Sequence, residues 1–461
     1  MKVQSTDKLK KLLMGVMFVL LSTIAVKAAT YTVTKTADTN SGPCPPSAPF
    51  FPCSLREAIA AANASSQDDT INFNIPTTDS GCSGGVCVIT LSSSFGQLTI
   101  NSASSSGTLT ITNEGGSQKI EISGNNAVRV FEVSSGGNLT VNSLTIRNGS
   151  SGQGSGIWNN GGTITVINST IRNNSTVGSG GGINNSGTAT IINSTISNNS
   201  VFASFGSSNG GGIYNNVGGT ITIINSTISN NSAGSGGGGV FNFGSTVNAR
   251  NTIIANNSTS GFGPDFNGIL TSQGSNLIGN TNSTTINGTT TGNILNQDPL
   301  LTPLGYYGGP TLTRAVFGKG WFRRTFSDSP VVDAGDSCVQ VLNCASNNPA
   351  FPITTDQRGA RRGKIDIGAY EVANGFKAVL PNGTNGQSYD FTITTYNTNE
   401  GNFTYTMSGL PSGLSLSQTV SGSTVTVKIA GTPVQTGSFN PVLTITSGTQ
   451  TTTVNYSLVI Q

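Results

Sequence analysis

Asn168-Ser169-Thr170-Ile171-Arg172-Asn173-Asn174 is a phrase the chain writes again at 193–199 and 225–231, and more loosely at 142–148 and 251–257. The leading asparagines stand 26, 25, 32 and 26 residues apart. A second phrase lies between the copies: Gly156-Ile157-Trp158-Asn159, Gly182-Ile183-Asn184, Gly212-Ile213-Tyr214-Asn215 and Gly239-Val240-Phe241-Asn242. A fixed period of this length marks a solenoid with one structural unit per repeat. The apolar positions are Ile and Val rather than Leu, which fits leucine-rich repeats poorly. Gly, Asn, Thr and Ile all disfavour helix, which excludes helical repeats. No six-residue beat is present. What remains is a parallel β-helix with one coil per repeat.

Segments such as Thr163-Ile164-Thr165-Val166 and Thr220-Ile221-Thr222-Ile223 alternate with period two, placing Ile and Val inside and Thr outside. Stacking of coils then sets Ile over Ile about 4.8 Å apart. The Asn-Asn pairs fall where the strand must bend. Asn tolerates the left-handed conformation, and stacked amides can hydrogen-bond from coil to coil. The glycine runs at 180–182, 210–212 and 236–239 allow turns that a side chain would block.

The chain has 461 residues, 61 Gly, no His and only 9% charged residues. Residues 1–29 read as a secretory signal: Lys8, Lys10 and Lys11 precede a short apolar run from Leu12 to Val26, and small residues around Ala28 suit cleavage. Five of the 22 basic residues and one of the 19 acidic ones lie in this stretch, so the remainder has a net charge of −1. Such a chain has no footprint for nucleic acid. No second apolar run follows, so no transmembrane segment is expected in the mature chain. Six cysteines form three close pairs, Cys44/Cys53, Cys82/Cys87 and Cys338/Cys344, which in a secreted chain read as disulfides worth about 2–3 kcal/mol each. Cys82 and Cys87 have no His or second Cys pair beside them to complete a zinc site, and no metal or cofactor is expected.

Cys53-Ser54-Leu55-Arg56-Glu57-Ala58-Ile59-Ala60-Ala61-Ala62-Asn63 is the one helix the sequence predicts. Ser54 and Glu57 form a capping box, and Leu55, Ala58, Ile59 and Ala62 make an apolar stripe. A short amphipathic helix before a solenoid serves to cover its open end. The run resembles the N-terminal signature of bacterial CSLREA-type surface proteins, a family similar to the pectin-lyase-like β-helices and to the polymorphic outer-membrane protein repeats. The resemblance implies a right-handed coil. Early, irregular coils are expected from 70–75 to 130–133. After residue 259 the repeat decays, and Gln297-Asp298-Pro299-Leu300, Gly308-Gly309-Pro310-Thr311-Leu312, Asp333-Ala334-Gly335-Asp336, Thr355-Asp356-Gln357-Arg358-Gly359 and Asp366-Ile367-Gly368-Ala369-Tyr370-Glu371 follow in order. This order resembles the choice-of-anchor Q region that ends many such β-helices, interrupted here by the insert Lys319-Gly320-Trp321-Phe322-Arg323-Arg324.

In residues 373–461 the repeats stop, and short alternating strands separated by Gly, Pro and Asn suggest a β-sandwich. Gly409-Leu410-Pro411-Ser412-Gly413-Leu414 and Gly431-Thr432-Pro433 resemble the Ig-like domains of bacterial surface proteins. The expected chain is therefore all-β: a signal peptide at 1–29, a capped right-handed parallel β-helix at 30–297, its C-terminal coils and cap at 298–372, and an Ig-like β-sandwich at 373–461.

The fold houses polysaccharide lyases and hydrolases, so chemistry must be weighed at the site. Residues 133–264 hold no Asp, Glu, Lys or His, and only Arg147, Arg172 and Arg250. Those coils cannot assemble the carboxylate pair a glycosidase needs. Charges cluster distally, at Asp333, Asp336, Asp356, Arg358, Arg361, Arg362, Asp366 and Glu371. If the protein is a lyase or hydrolase, Asp333, Asp356 and Asp366 are its candidate catalytic residues; the other reading is a network of caps and ion pairs closing the end of the solenoid. A non-catalytic, cell-surface or secreted role in adhesion or structure is favoured, with extracellular glycans or other surface proteins as partners. Trp158, Tyr214 and Phe241 each follow an inward Ile or Val and so point outward along one edge, a candidate ligand surface; the second coil reads as lacking its aromatic because it is one residue shorter. A third reading is ice binding by the outward pairs Thr163/Thr165, Thr188/Thr190 and Thr220/Thr222, set against the plain suitability of Thr for exposed strands.

Overall fold

The computed structural model describes residues 28–46, 52–101, 107–202, 208–317, 329–342, 344, 351–372 and 377–461. Residues 1–27 of the expected signal sequence and the insert at 319–324 lie outside them.

Each regular coil is four short strands. In the coil carrying the quoted phrase they are β1 (Ile157–Asn160), β2 (Thr163–Ile167), β3 (Thr170–Arg172) and β4 (Ser175–Thr176). Every one pairs in parallel with its counterparts in the neighbouring coils. The register stacks like on like. Ile171 lies between Ile146 and Ile196, with Ile228 and Ile254 beyond. Ile157 lies between Phe131 and Ile183. These side chains are fully buried, and the apolar column through the solenoid is its core. The β1 and β2 faces merge in the last full coil, where Phe266–Gln273 pairs with both Val240–Asn242 and Thr246–Arg250.

The phrase bends the chain twice. Asn168, Asn193, Asn225 and Asn251 sit at φ 46–49°, and Asn173, Asn198, Asn230 and Asn256 at φ 53–61°. Asn reaches this region more readily than other residues with a Cβ. The second asparagine of each pair turns inward. Asn174 donates through Nδ2 to Oδ1 of Asn199, Asn199 to Asn231 and Asn231 to Asn257, each at 2.9 Å. A parallel ladder runs through Asn159, Asn185, Asn215 and Asn242 at 2.7–3.0 Å. The first ladder ends on Asp265, whose Oδ1 accepts both the backbone and side-chain N–H groups of Asn257 at 2.9 Å. Burial pushes the Asp265 carboxyl up to about 6.

At the first coil α1 (Leu55–Ala62) carries the expected reciprocal cap between Ser54 and Glu57. It buries Leu55, Ala58, Ile59 and Ala62 in the solenoid core. Burial alone would raise Glu57, but the N–H groups of Ser54 and Ser41, the Thr39 hydroxyl and Lys35 outweigh it and hold the carboxyl at about 2. Arg56 pairs with Asp38 at 2.8 Å. Disulfides join Cys44 to Cys53, Cys82 to Cys87 and Cys338 to Cys344.

The expectation that 298–372 supplies further coils and an end cap is corrected. The last solenoid strand is Ile294–Leu295, and among the described residues 298–372 adds no strand to the stack. The segment instead runs back along the β3 face as a strap. Tyr306 donates its hydroxyl to Glu121 at 2.9 Å, Thr311 to the Asn168 carbonyl at 2.9 Å, and Asn251 reaches the Asp336 carbonyl at 2.9 Å. Pro299, Pro303 and Pro310 cannot donate to a ladder, so the segment leaves the stack rather than extending it. Gln357 joins the strap to Ser169, Thr170 and Thr195 of the solenoid. Its amide donates to the carbonyls of Ser169 (3.2 Å) and Leu312 (2.8 Å) and to the hydroxyls of Thr170 (3.1 Å) and Thr311 (2.9 Å), and it accepts from Thr195 at 2.6 Å. The outward Thr145, Thr170, Thr195 and Thr227 of the β3 face are consequently buried.

The C-terminal module is a two-sheet sandwich. One sheet holds Leu414–Ser421, Thr424–Gly431 and Tyr389–Asn397; the other holds Thr404–Ser408, Val442–Ser447, Gln450–Ile460, Gly437–Phe439 and Ala378–Val379. It packs on the strap through one continuous apolar cluster. Thr394 donates to the Leu304 carbonyl at 2.8 Å and Tyr456 to that of Tyr306 at 2.7 Å. Glu400 is shared by Arg314 and Asn230 at 3.1 Å each.

Candidate ligand surface

Two of the distal carboxylates, Asp356 and Asp366, are held by donors of the strap itself, whereas Asp336 pairs with Arg250 of the solenoid. Asp356 is fully buried and accepts the N–H groups of Arg358, Ala360 and Glu371 together with the Arg358 guanidinium, at 2.7–2.9 Å. Asp366 is 1% exposed and accepts the N–H groups of Asp333 (2.7 Å) and Val372 (2.6 Å). Burial first, and Glu371 second, push its carboxyl up to about 7. The Asp333 carboxylate lies apart, 4.0 Å from the Lys364 ammonium. Asp356 and Asp366 are therefore occupied by donors of the strap, backbone N–H groups above all. The network lies on the flank of the solenoid and not at its end, because the strap that carries it turned back.

The outward column of the β1 face reads Thr99, Glu132, Trp158, Asn184, Tyr214, Phe241 and Asn267 in successive coils. The structure brings Trp158, Tyr214 and Phe241 onto one edge. The reason given for the gap between them is corrected: the second coil is not shorter there, and Asn184 occupies the same register. Asn184 is buried and donates to the Ser179 carbonyl at 3.2 Å.

The three rings differ in what they do. Trp158 lies under the Arg129 guanidinium, 4.6 Å from its ring centroid. Arg129 is fixed by Glu132 at 3.3 Å and by the carbonyls of Gln153 (3.0 Å) and Gly154 (3.1 Å), so Trp158 is half of a packed pair. Tyr214 and Phe241 stack with centroids 5.6 Å apart and planes 16° from parallel. Phe243 continues the stack at 6.4 Å and is 52% exposed. Phe262, 70% exposed, bridges Gly236, over which the Phe241 ring lies. The outermost rings, Phe243 and Phe262, were not singled out from the sequence. Phe243 could have been, since it lies two residues after Phe241 in the same extended run. Phe262 could not, because its place beside Phe241 depends on the register of a coil whose repeat has decayed. No Asp, Glu, Lys or His lies between Glu132 and Asp265, so this aromatic strip is set in a neutral surface.

Residues 372–461 match the family model described as "Putative Ig domain". No curated protein matches the chain. Among solved structures, an endo-fucoidan hydrolase of glycoside hydrolase family 107 aligns at 17% identity and a TM-score of 0.16, covering 20% of this chain and 14% of that one. The family match and the observed sheets together establish a parallel β-helix with a C-terminal Ig-like domain.

Proposed function

We propose that the protein is secreted, works outside the cell or at its surface without catalysis, and binds extended glycans along the β1 face. One observation carries the reading: Tyr214, Phe241 and Phe243 form a stacked, partly exposed aromatic strip on a neutral face, and exposed Phe262 lies in the next coil, its backbone bridged to Gly236. Sugar rings stack on such surfaces, and polar neighbours supply bonds to hydroxyls. Contiguous exposed apolar side chains rimmed by polar residues are a mark of interaction sites. Three disulfides fit an oxidising, extracellular setting, and among the described residues no helix is long and apolar enough to cross a membrane. The buried, saturated state of Asp356 and Asp366 favours binding over cleavage. A screen of the full chain against plant, algal and microbial polysaccharides, with product analysis on each polymer, tests the proposal. Retention on a glycan without depolymerisation is expected. Cleavage of any polymer, abolished by Asp356→Ala or Asp366→Ala, overturns it.

A further inference from the structure

Among the described residues, neither the strap nor the aromatic strip covers the outward threonines of the β2 face. Its outward residues form two ranks. In one, Thr163, Thr188, Thr220 and Thr246 follow one another in register; in the other, Thr140, Thr165, Thr190 and Thr222 do. Thr110 extends the second rank by another coil. The ranks are closed by Asn138 and Asn248 rather than by charged residues. All of these side chains are half-buried or exposed. The hydroxyls of Thr163, Thr165, Thr188, Thr190, Thr220 and Thr222 make no bond to protein among the described residues.

Contrast with the β3 face shows that this is a different use of the same residue. There Thr170, Thr195 and Thr227 are covered and bonded to the strap. On the β2 face the strap stops at the corner, where Val339 and Ile353 sit on Ile192 and Ile224. The open ranks begin immediately beyond it.

We propose that the two threonine ranks bind ice. Hydroxyls repeat about 4.8 Å from coil to coil and about 6.7 Å along each strand, two residues at 3.3–3.4 Å. A two-dimensional array with these repeats is close to the oxygen spacing on faces of hexagonal ice. Thr is stiff at χ1, so each hydroxyl and methyl is presented in one geometry. Sheets normally twist, and side-chain ladders are what flattens them; the two buried asparagine ladders tie these same coils together. The ranks hold no ring to stack on a sugar and no charge to organise water around itself, which favours a lattice of neutral water over a glycan as the occupant.

The full chain, purified and oxidised, is examined for thermal hysteresis, for faceting of a single ice crystal and for inhibition of recrystallisation. Activity in the parent is expected, with loss in Thr190→Tyr, which places a large ring mid-array on the solvent side while the melting temperature stays that of the parent. Thr163→Tyr, at the more exposed rank, serves if Thr190→Tyr folds poorly. Phe243→Ala with Phe262→Ala leaves the ice activity unchanged, which separates this face from the glycan proposal. No hysteresis or recrystallisation inhibition in the parent overturns the inference, as does full activity in both tyrosine variants. Adsorption to an insoluble polysaccharide through the same threonines, without ice activity, also overturns it.

Discussion

At the scale of single residues, the asparagines carry two jobs that are separable. The first of each pair supplies a left-handed bend, and the second fills a ladder inside. Asn199 accepts from the backbone (3.1 Å) and side chain (2.9 Å) of Asn174 and donates to the Ile171 carbonyl at 2.9 Å and to Asn231 at 2.9 Å. Asn199→Ala leaves several of these buried groups unpaired, at about 1–3 kcal/mol for each. A loss of about 3 kcal/mol or more is expected in chemical denaturation, against under about 1 kcal/mol for half-buried Asn267→Ala on the column outside. The bends were legible because Asn-Asn at a fixed period is unusual outside a left-handed turn. The end of the ladder at Asp265 was not, since nothing local marks that aspartate as a fifth rung. Asp265 gives a pH signature. Its folded value of about 6 lies above the ordinary 3.8, so its contribution is full below about 4 and is lost as pH rises through 6; Asp366, at about 7, acts in the same direction. Glu57, held at about 2 against 4.5, contributes above 4.5 and is lost as pH falls toward 2. On these three groups melting temperature should therefore peak near pH 4 and fall as pH rises to about 7. A steady rise from pH 5 to 8 would contradict these assignments.

At the scale of elements, α1 covers the first coil and the strap covers the β3 flank. Leu55 is 1% exposed against the first coil. Leu55→Asp puts an unpaired charge there and should cost about 4 kcal/mol or more, seen as a lowered melting temperature or aggregation. Ser54→Ala removes only the cap and should cost about 1 kcal/mol. α1 was readable from its stripe and capping box. The strap was misread because it has no period: its order of motifs resembles a coil terminus, but its position is set by side-chain bonds to threonines more than 100 residues earlier, which no local pattern announces. Gln357→Leu tests the docking. It removes five bonds, and with the partners left buried a loss of about 3 kcal/mol is expected, together with faster proteolysis within 298–372.

At the scale of the whole molecule, solenoid, strap and sandwich are not independent beads. One apolar cluster runs from Ile253 and Leu277 of the last coils through Tyr306, Tyr307 and Phe317 of the strap to Phe391, Phe403 and Tyr456 of the sandwich. Buried Lys119 of an early coil lies 5.3 Å from the Tyr306 ring centroid and 5.2 Å from that of Phe391. The sandwich should consequently unfold with the strap in calorimetry, and a chain ending at residue 376 should aggregate rather than stand as a stable solenoid. The coil architecture and the two-part chain were legible from periodicity and its abrupt end. The docking between the parts was not, because the faces that meet there read as ordinary alternating strands.

The outer surface is where function is proposed, and the paired rings of the β1 face decide it. The most direct measurement is retention of the parent chain and of the Phe243→Ala, Phe262→Ala double variant on one set of immobilised polysaccharides, with reducing-end assays on the eluates. The account predicts that the parent is retained on at least one polymer without releasing reducing ends, and that the double variant elutes unretained with its melting temperature within a degree or two of the parent. Equal retention of parent and variant, or release of new reducing ends by the parent, would contradict it.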